Sequence, residues 1–289
     1  MNTAFFKLHL SIFIAGFTGV FGKLIQADAF VLVFHRAWIT LAMLYLLHRL
    51  MQLVKPCPIL DRACYTATGM LMGIHFLCFY GSIKLSNVSI GVICLSMVGF
   101  FTAILEPLIL KRRFAKRELA YSLLSILGIL LIFSLDTRHQ LGIAVGTLAA
   151  LTASLFTVSS KKVSAGHDLF TVLFYQFAGV TAVMVLSSPF YLFLFPAGNF
   201  ILSLSDTVYM LLLCSVCTVG LYFLYIQVVQ VISAFTVNLS YNLEPVYSII
   251  IAMIIFHEHR ELNASFIAGV VLIIMSVALQ TISVMRIKD

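Results

Sequence analysis

Two charged side chains lie inside long apolar stretches of this sequence, and their positions make them the first candidates for chemistry. Arg36 lies about six residues into one stretch, and Glu244 lies about twelve residues into another. A charge near the centre of a bilayer costs at least about 2.5–3.5 kcal/mol, so it usually pairs with another group or lines a pathway. Arg36 can bind an anion or extend to the membrane surface. Glu244 is too deep to reach the surface, so it can exchange a proton, contact a solute or hydrogen-bond to a neighbouring helix.

Glu244 belongs to a stripe of polar residues. At about 100° per residue, these residues fall within half of a helix circumference, and the other half is mostly Val, Leu and Ile. The stripe consists of Asn238, Tyr241, Asn242, Glu244, Pro245 and Ser248. A polar stripe in a membrane helix faces protein or water, and Pro245 leaves a backbone carbonyl near Tyr241 free to accept a ligand donor or to mark a kink.

Five further side chains are weaker candidates for contact with a solute. They are His75, Tyr80, Tyr175, Gln176 and Tyr222. Histidine as a residue type suits proton transfer, but a neutral His75 hydrogen-bonded within the bundle is the alternative. Tyrosine also collects at membrane interfaces, which is the alternative for Tyr175 and Tyr222. For Glu106 we expect pairing with the basic run that begins at Lys111.

Enzyme and metal signatures do not emerge from the sequence. His257-Glu258-His259 lacks the second His four residues after the first that a zincin helix needs. The chain has no P-loop motif, so we expect no ATP and no other cofactor. Cys214 and Cys217 have redox spacing but lie in an apolar stretch, where core packing is the better interpretation.

The composition requires lipid as the solvent. Hydrophobic residues make up 62% of the 289 residues and charged residues only 10%, whereas soluble domains contain about 25% charged residues. The formal net charge is +7. The basic residues cluster at the ends of apolar stretches, where they set topology and meet anionic headgroups, so we expect membrane lipid and not nucleic acid as the partner.

We predict ten transmembrane helices. The spans are 5–25, 30–51, 63–84, 88–110, 118–134, 141–160, 169–194, 207–229, 232–256 and 263–284. Most of them reach the roughly 20 residues that cross a bilayer, and each must be helical because unpaired backbone amides are costly in hydrocarbon.

Basic residues collect in alternate gaps between these spans. The basic gaps contain Lys55 and Arg62, the run from Lys111 to Arg117, Lys161 and Lys162, and finally Arg286 and Lys288. Short cytoplasmic loops retain Lys and Arg. This pattern predicts a multi-pass protein of the cell (inner) membrane with both termini in the cytoplasm.

The two halves of the chain look related. Ala15–Lys23 reads AGFTGVFGK and Ala153–Lys161 reads ASLFTVSSK, and the triplet Leu-Glu-Pro occurs at 105–107 and at 243–245. Aligning the halves on their tight linkers instead places Glu106 near a span end and Glu244 mid-span. We predict five helices in 1–138 and five in 139–289. Because five is odd, the second half enters from the opposite side, as an inverted repeat.

Several motifs resemble the EamA-like family of the drug/metabolite transporter superfamily. They are Gly22-Lys23, Arg36 early in the second span, the turn at 85–89, EPVYSIIIAMIIFHE at 244–258, and Gly269. The first half departs from the pattern, because Lys111-Arg112-Arg113 stands where a Glu is often found. The resemblance implies ten helices in two inverted repeats and the export or uptake of small metabolites.

The leading hypothesis is therefore a secondary transporter that moves a small metabolite such as an amino acid by alternating access. We expect an exporter, with proton coupling as an additional hypothesis, and a monomer or weak homodimer rather than an enzyme. The alternatives are an intramembrane enzyme, which needs a facing pair of catalytic groups, and a membrane partner protein that transports nothing.

Overall fold

Every regular element that the structure describes is a helix. The structure is a computed structural model that describes residues 2–111, 120, 123–124, 127–128, 131, 139–164, 166–196, 200–229, 243–256 and 264–285. The helices are α1 (Asn2–Leu24), α2 (Ala29–Met51), α3 (Ile59–Leu85), α4 (Val88–Leu95), α5 (Val98–Leu110), α6 (Gln140–Ser164), α7 (Leu169–Leu194), α8 (Leu204–Cys214), a π-helix (Ser215–Gly220), α9 (Leu221–Val229), α10 (Glu244–Phe256) and α11 (Ala264–Met285).

Seven helical segments in the described part of the chain are long and apolar enough to cross a membrane, and two shorter apolar helices follow them in α10 and α11. The chain is therefore a helical multi-pass membrane protein, as predicted. Most of the predicted span 118–134 and the first part of the span 232–256 lie outside the described residues. The count of ten helices stays a prediction.

Two spans are interrupted where the sequence predicted continuous helices. Between α4 and α5, the backbone N–H groups of Ser96 and Met97 donate to carbonyls three residues earlier, which tightens the helix. Between α8 and α9, the π-helix widens the helix, and the Thr218 hydroxyl donates to the Leu213 carbonyl at 2.9 Å. Insertions of this kind often lie at functional sites.

Helix contacts between the two halves obey a twofold rule. Count α1, α2, α3 and α4–α5 as the first four spans of one half, and α6, α7, α8–α9 and α10 as those of the other. The first span of each half packs on the third and fourth of the other, and the second packs on the third. The two second spans pack together, and so do α4 and α10. Each of the main helix contacts between the halves therefore has its exchanged mate in the described residues, as a twofold-related pair of repeats requires.

Helices α2 and α7 meet on this twofold axis and begin in the same way. Each has an N-cap Asp whose side chain accepts the backbone N–H three residues later, Asp28 from Val31 and Asp168 from Thr171. Each Asp also contacts the far end of the other helix. Tyr191 donates its hydroxyl proton to Asp28, and Lys55, just after α2, lies 3.3 Å from Asp168. One contact between the repeats therefore lies at each end of the α2–α7 pair.

Glycines let α3 and α7 approach until their backbones touch. A Cβ on Gly179 would lie 2.0 Å from the Thr66 carbonyl oxygen, and a Cβ on Gly69 would lie 2.0 Å from the Gln176 carbonyl oxygen. Small residues allow such approach in membrane proteins, where helix association depends on close packing. This contact fixes the depth of α7 against α3.

We predict that Gly179→Ala destabilises the protein while Gly81→Ala does not. A Cβ at residue 81 would meet only Val145, at an ordinary 3.4 Å, and Ala favours a helix over Gly by up to about 1 kcal/mol. At residue 179 the added carbon meets backbone, so the helices must separate, which costs roughly 1–3 kcal/mol. Melting temperatures in detergent test this. Equal or higher stability of Gly179→Ala contradicts the backbone contact.

Asp168 gives a pH-dependent test of the α2–α7 pair. Partial burial acts to raise its pKa, but hydrogen bonds from Thr171 and Lys55, together with the Lys55 charge, outweigh burial and hold the pKa below its ordinary value. A depressed carboxyl pKa stabilises the fold above about pH 4, and this stabilisation is lost as the pH falls through the folded-state pKa.

We therefore expect Asp168→Ala to lower stability by about 1 kcal/mol at pH 7, and Asp168→Asn, which keeps a cap, to lower it less. The difference between the native protein and Asp168→Ala should shrink below pH 4. Thermal melts between pH 3 and pH 8 measure it, and a difference that grows toward acid is the contrary result.

Candidate functional site

The Arg36 side chain lies between the two repeats and is only 5% exposed. Its Nη1 donates to the Tyr80 hydroxyl of α3 at 2.7 Å, and its Nη2 donates to the Thr218 hydroxyl of the π-helix at 3.2 Å. The guanidinium also stacks over the Phe76 ring, 4.0 Å from its centroid. Arg36 therefore does not extend to the membrane surface, and its partners come from both repeats.

The positive charge of Arg36 has only neutral hydrogen-bond partners in the described residues. The Nε–H group is buried without an acceptor, and no described carboxylate lies within the 4.0 Å of an ion pair. A guanidinium offers five N–H donors, and the hydrogen bonds to Tyr80 and Thr218 use two. Among the described residues, the site therefore has unused N–H donors and no carboxylate within ion-pair distance of the Arg36 charge.

Glu244, at the start of α10, is a described carboxylate that interacts electrostatically with Arg36. Arg36, Glu244 and Tyr80 lie within electrostatic range of one another. Arg36 comes from the first repeat and Glu244 from the second. The candidate site is therefore a pair of opposite charges across the repeat interface, separated by more than an ion-pair distance.

The π-helix supplies the second-repeat side of the site. Thr218 lies within it, and the Cys214 thiol just before it lies 3.8 Å from the Arg36 carbonyl oxygen. Cys214 and Cys217 are both buried free thiols, which agrees with the packing role expected from the sequence. Thr218 could not be identified from the sequence, because a π-helix leaves no residue pattern that marks it.

Gln176 occupies the position in α7 that Arg36 occupies in α2. Each is the eighth residue of its helix and lies eight residues after the N-cap Asp. Gln176 is 4% exposed, and its Nε2 lies 2.7 Å from Ser160 Oγ and 3.4 Å from Thr68 Oγ1. Both side chains therefore donate planar N–H groups to a Thr on the third span of the opposite repeat.

The sequence contains a signal for this equivalence that was not among the motifs used above. Residues 28–36 read DAFVLVFHR and residues 168–176 read DLFTVLFYQ. The Asp and both Phe residues coincide, an aromatic ring stands at 35 and 175, and only the final position changes from a charged to a neutral donor.

Glu244 also lacks a charged twofold mate. The Ser248 hydroxyl of α10 donates to the Gly16 carbonyl of α1 at 2.8 Å, and in the mated crossing Thr102 of α5 lies 2.9 Å from Ser154 of α6. Since the repeats align Gly16 with Ser154, Ser248 corresponds to Thr102. Glu244 then corresponds to the apolar region at Val98.

Glu106 accepts a hydrogen bond from Lys161 of α6 at 2.7 Å, a partner that the sequence did not predict. Apart from Lys111, the basic run expected to pair with Glu106 lies outside the described residues, so that pairing stays a prediction. The crossing of α5 and α6 brings the Lys161 side chain of the other repeat to Glu106. Glu106 thus lies near a helix end, as the linker alignment predicted.

The other candidates divide into three groups. His75 Nδ1 lies 2.9 Å from the Ala149 carbonyl oxygen, which fits the structural alternative, although Arg36 is within its electrostatic range. Tyr175 lies beside Tyr65 and Phe174 rather than at the centre, and Tyr222 is half-buried and packs against the main core. Asn238, Tyr241 and Asn242 lie outside the described residues.

A separate groove of about 530 Å³ lies between α2 and α8, beside His35 and Trp38. Its lining is mostly apolar and contains no charged side chain other than the titratable His35. Within the described residues, no three His, Cys, Asp or Glu side chains gather as metal ligands. The groove therefore offers an apolar surface, whereas the centre at Arg36 contains a buried charge.

Comparison with known proteins agrees with this architecture. A solved structure, described as "Crystal structure of protein", has a TM-score of 0.64 and 15% sequence identity, over 97% of this chain and 98% of that chain. This likeness concerns the fold. None of the curated proteins matches. The sequence model of the EamA-like transporter family matches twice, at residues 3–134 and 140–282. These matches cover both repeats, and the chain belongs to the EamA-like transporter family.

Proposed function

We propose that this protein is a secondary transporter that exports a small metabolite such as an amino acid, with the solute held between Arg36 and Glu244. One observation carries the proposal: Arg36 is buried between the repeats, and Glu244 of the opposite repeat lies within its electrostatic range. Binding at a repeat interface near the midplane is the arrangement that lets two related halves expose one site to either side in turn.

The twofold-related helix contacts suggest how the two repeats would move during transport. At one interface α3 and α7 touch backbone to backbone at Gly69 and Gly179. At the mated interface, α2 meets the α8–α9 span through side chains, among them Arg36 and Thr218. A rocking motion that exchanges these two packings opens one face as it closes the other. Arg36 is almost fully enclosed in the described conformation, so the motion must open a path to it before a solute can bind.

Glu244 is the proposed site of proton coupling. A carboxylate there attracts a cationic group of the solute, and the same carboxylate can take up a proton instead. Because the two cannot occupy it together, an inward-moving proton exchanges for an outward-moving solute. Competition between the proton and the solute for Glu244 therefore makes the coupling an exchange, with the proton moving in and the solute moving out. An amino acid suits such export, because its ammonium group would lie at Glu244.

We place the protein in the cell membrane with both termini in the cytoplasm. The support is the concentration of basic residues in alternate loops. On this topology the loop at 52–58 is cytoplasmic and the loop at 200–203 is extracellular.

The topology predicts thiol labelling. In a variant that retains Cys57 and has the other five cysteines replaced, an impermeant thiol reagent should not react in intact cells. A variant without native cysteines but with Ile201→Cys, at a position that is 82% exposed, should react. Permeabilised cells should label at both positions. Labelling at Cys57 but not at residue 201 in intact cells means that the orientation is inverted.

The coupling proposal predicts that Glu244→Gln separates exchange from accumulation. Purified protein in proteoliposomes is assayed with a panel of labelled amino acids, with and without a pH gradient. Glu244→Gln should retain solute exchange but lose the accumulation that the gradient drives, because Gln cannot bind and release a proton.

Glu106→Gln is the matched control. Glu106 also follows a Leu and precedes a Pro, but it pairs with Lys161 near a helix end, so its variant should still respond to the gradient. A Glu244→Gln variant that responds fully makes Glu244 architectural. If the native protein moves no member of a broad metabolite panel, the transporter proposal itself fails.

A further inference from the structure

The positive charge at residue 36 exceeds what the packing of this fold requires. Gln176 shows this within the same molecule, because it fills the twofold-equivalent position with a neutral side chain. It is buried to the same extent as Arg36. Like Arg36, it has one hydroxyl partner on the opposite repeat, Thr68, and one on its own repeat, Ser160. A neutral amide is therefore enough to hold the second span of a repeat against its neighbouring helices. A buried charge is costly in a membrane, so its presence at one of two equivalent positions needs another explanation.

The hydrogen bonds of Arg36 point to an anion as the missing partner. Tyr80 and Thr218 are neutral, and Nε is buried without an acceptor among the described residues. A planar guanidinium matches a carboxylate through paired N–H donors, which is why Arg is preferred where carboxylates are recognised. Phe76 and Tyr80 flank the guanidinium with aromatic rings, so the surroundings also suit an apolar body attached to the anionic group.

The number of charges narrows the class of anion. Arg36 is the only cation that acts on Glu244 and on Tyr80 in the described centre. Arg36 and an ionised Glu244 together carry no net charge, so a solute with one carboxylate and one ammonium group leaves the centre neutral. A phosphate monoester brings nearly two negative charges and would leave the centre with an excess of negative charge.

We infer that Arg36 is the anchor for a single carboxylate group of the transported solute. This inference rests on the proposed function and deepens it, since it names the group that the solute must carry. In the absence of solute, the Tyr80 and Thr218 hydroxyls hold the guanidinium in place. When solute binds, its carboxylate accepts hydrogen bonds from donors that the protein leaves unused.

The matched experiment replaces Arg36 with the side chain found at its twofold mate. Arg36→Gln should fold as well as the native protein, with a melting temperature within a few degrees, because Gln176 does the same packing task. The control is Gln176→Ala, which removes the mate and keeps the charge. If Arg36→Gln is strongly destabilised while Arg36→Lys is not, the charge is structural and the inference is overturned.

The second readout uses pairs of ligands that differ only in the carboxylate. The native protein in detergent is titrated with phenylalanine, leucine and 3-phenylpropanoate, and with the carboxamide of each. We expect at least one acid to stabilise the native protein at a concentration about tenfold or more below that of its amide, since a charge-assisted hydrogen bond is lost. Gln176→Ala should keep this preference, and Arg36→Gln should lose it.

Each other result counts against the anchor. Equal binding of every acid and its amide, or no acid effect at all, overturns the carboxylate assignment, as does a preference that survives in Arg36→Gln. Transport in proteoliposomes separates this failure from that of the proposed function. A protein that transports solutes without regard to the carboxylate remains a transporter but has no carboxylate anchor at Arg36.

Discussion

A single guanidinium buried between two repeats is the constraint on which the organisation of this protein depends. Removing the Arg36 charge from water is costly, and the chain meets the cost with partners from both halves. Tyr80 comes from a continuous helix of the first repeat, and Thr218 from an insertion that widens a helix of the second. The hydrogen bond to Thr218 therefore requires the two repeats to be in register, whereas the one to Tyr80 lies within the first repeat.

Twofold equivalence explains the scaffold, and departures from it mark the site. The helix contacts between the repeats come in exchanged pairs, and α2 and α7 share an N-cap Asp and an aromatic pattern. Against this background, Arg36 faces an equivalent Gln176, and Glu244 faces the apolar region at Val98. Both charges of the centre are absent from their twofold mates. Symmetric parts can rock, while the asymmetric charges give one solute site rather than two.

Much of the scaffold could be predicted from the sequence because lipid imposes strict rules. The bounds of α2 and α7 follow from hydropathy within one residue, and the depth of Arg36 and Glu244 identified them as candidates. The π-helix and Thr218 could not be predicted, because an extra backbone residue changes no local pattern. The hydrogen bond from Lys161 to Glu106 could not be predicted, because crossing helices bring together residues that are far apart in sequence. Gln176 was found as a weak pocket candidate, but its equivalence to Arg36 required the helix starts to be aligned.

The central claim is that the two repeats exchange mated contacts around one charged centre. Distances between spin labels at the two ends of the bundle test it most directly. One label pair replaces Gln26 and Leu204, and the other replaces Leu60 and Leu169, all of them exposed. In lipid, addition of a transported solute should change the two distances in opposite directions. Two distances that stay constant, or that lengthen and shorten together, contradict the account.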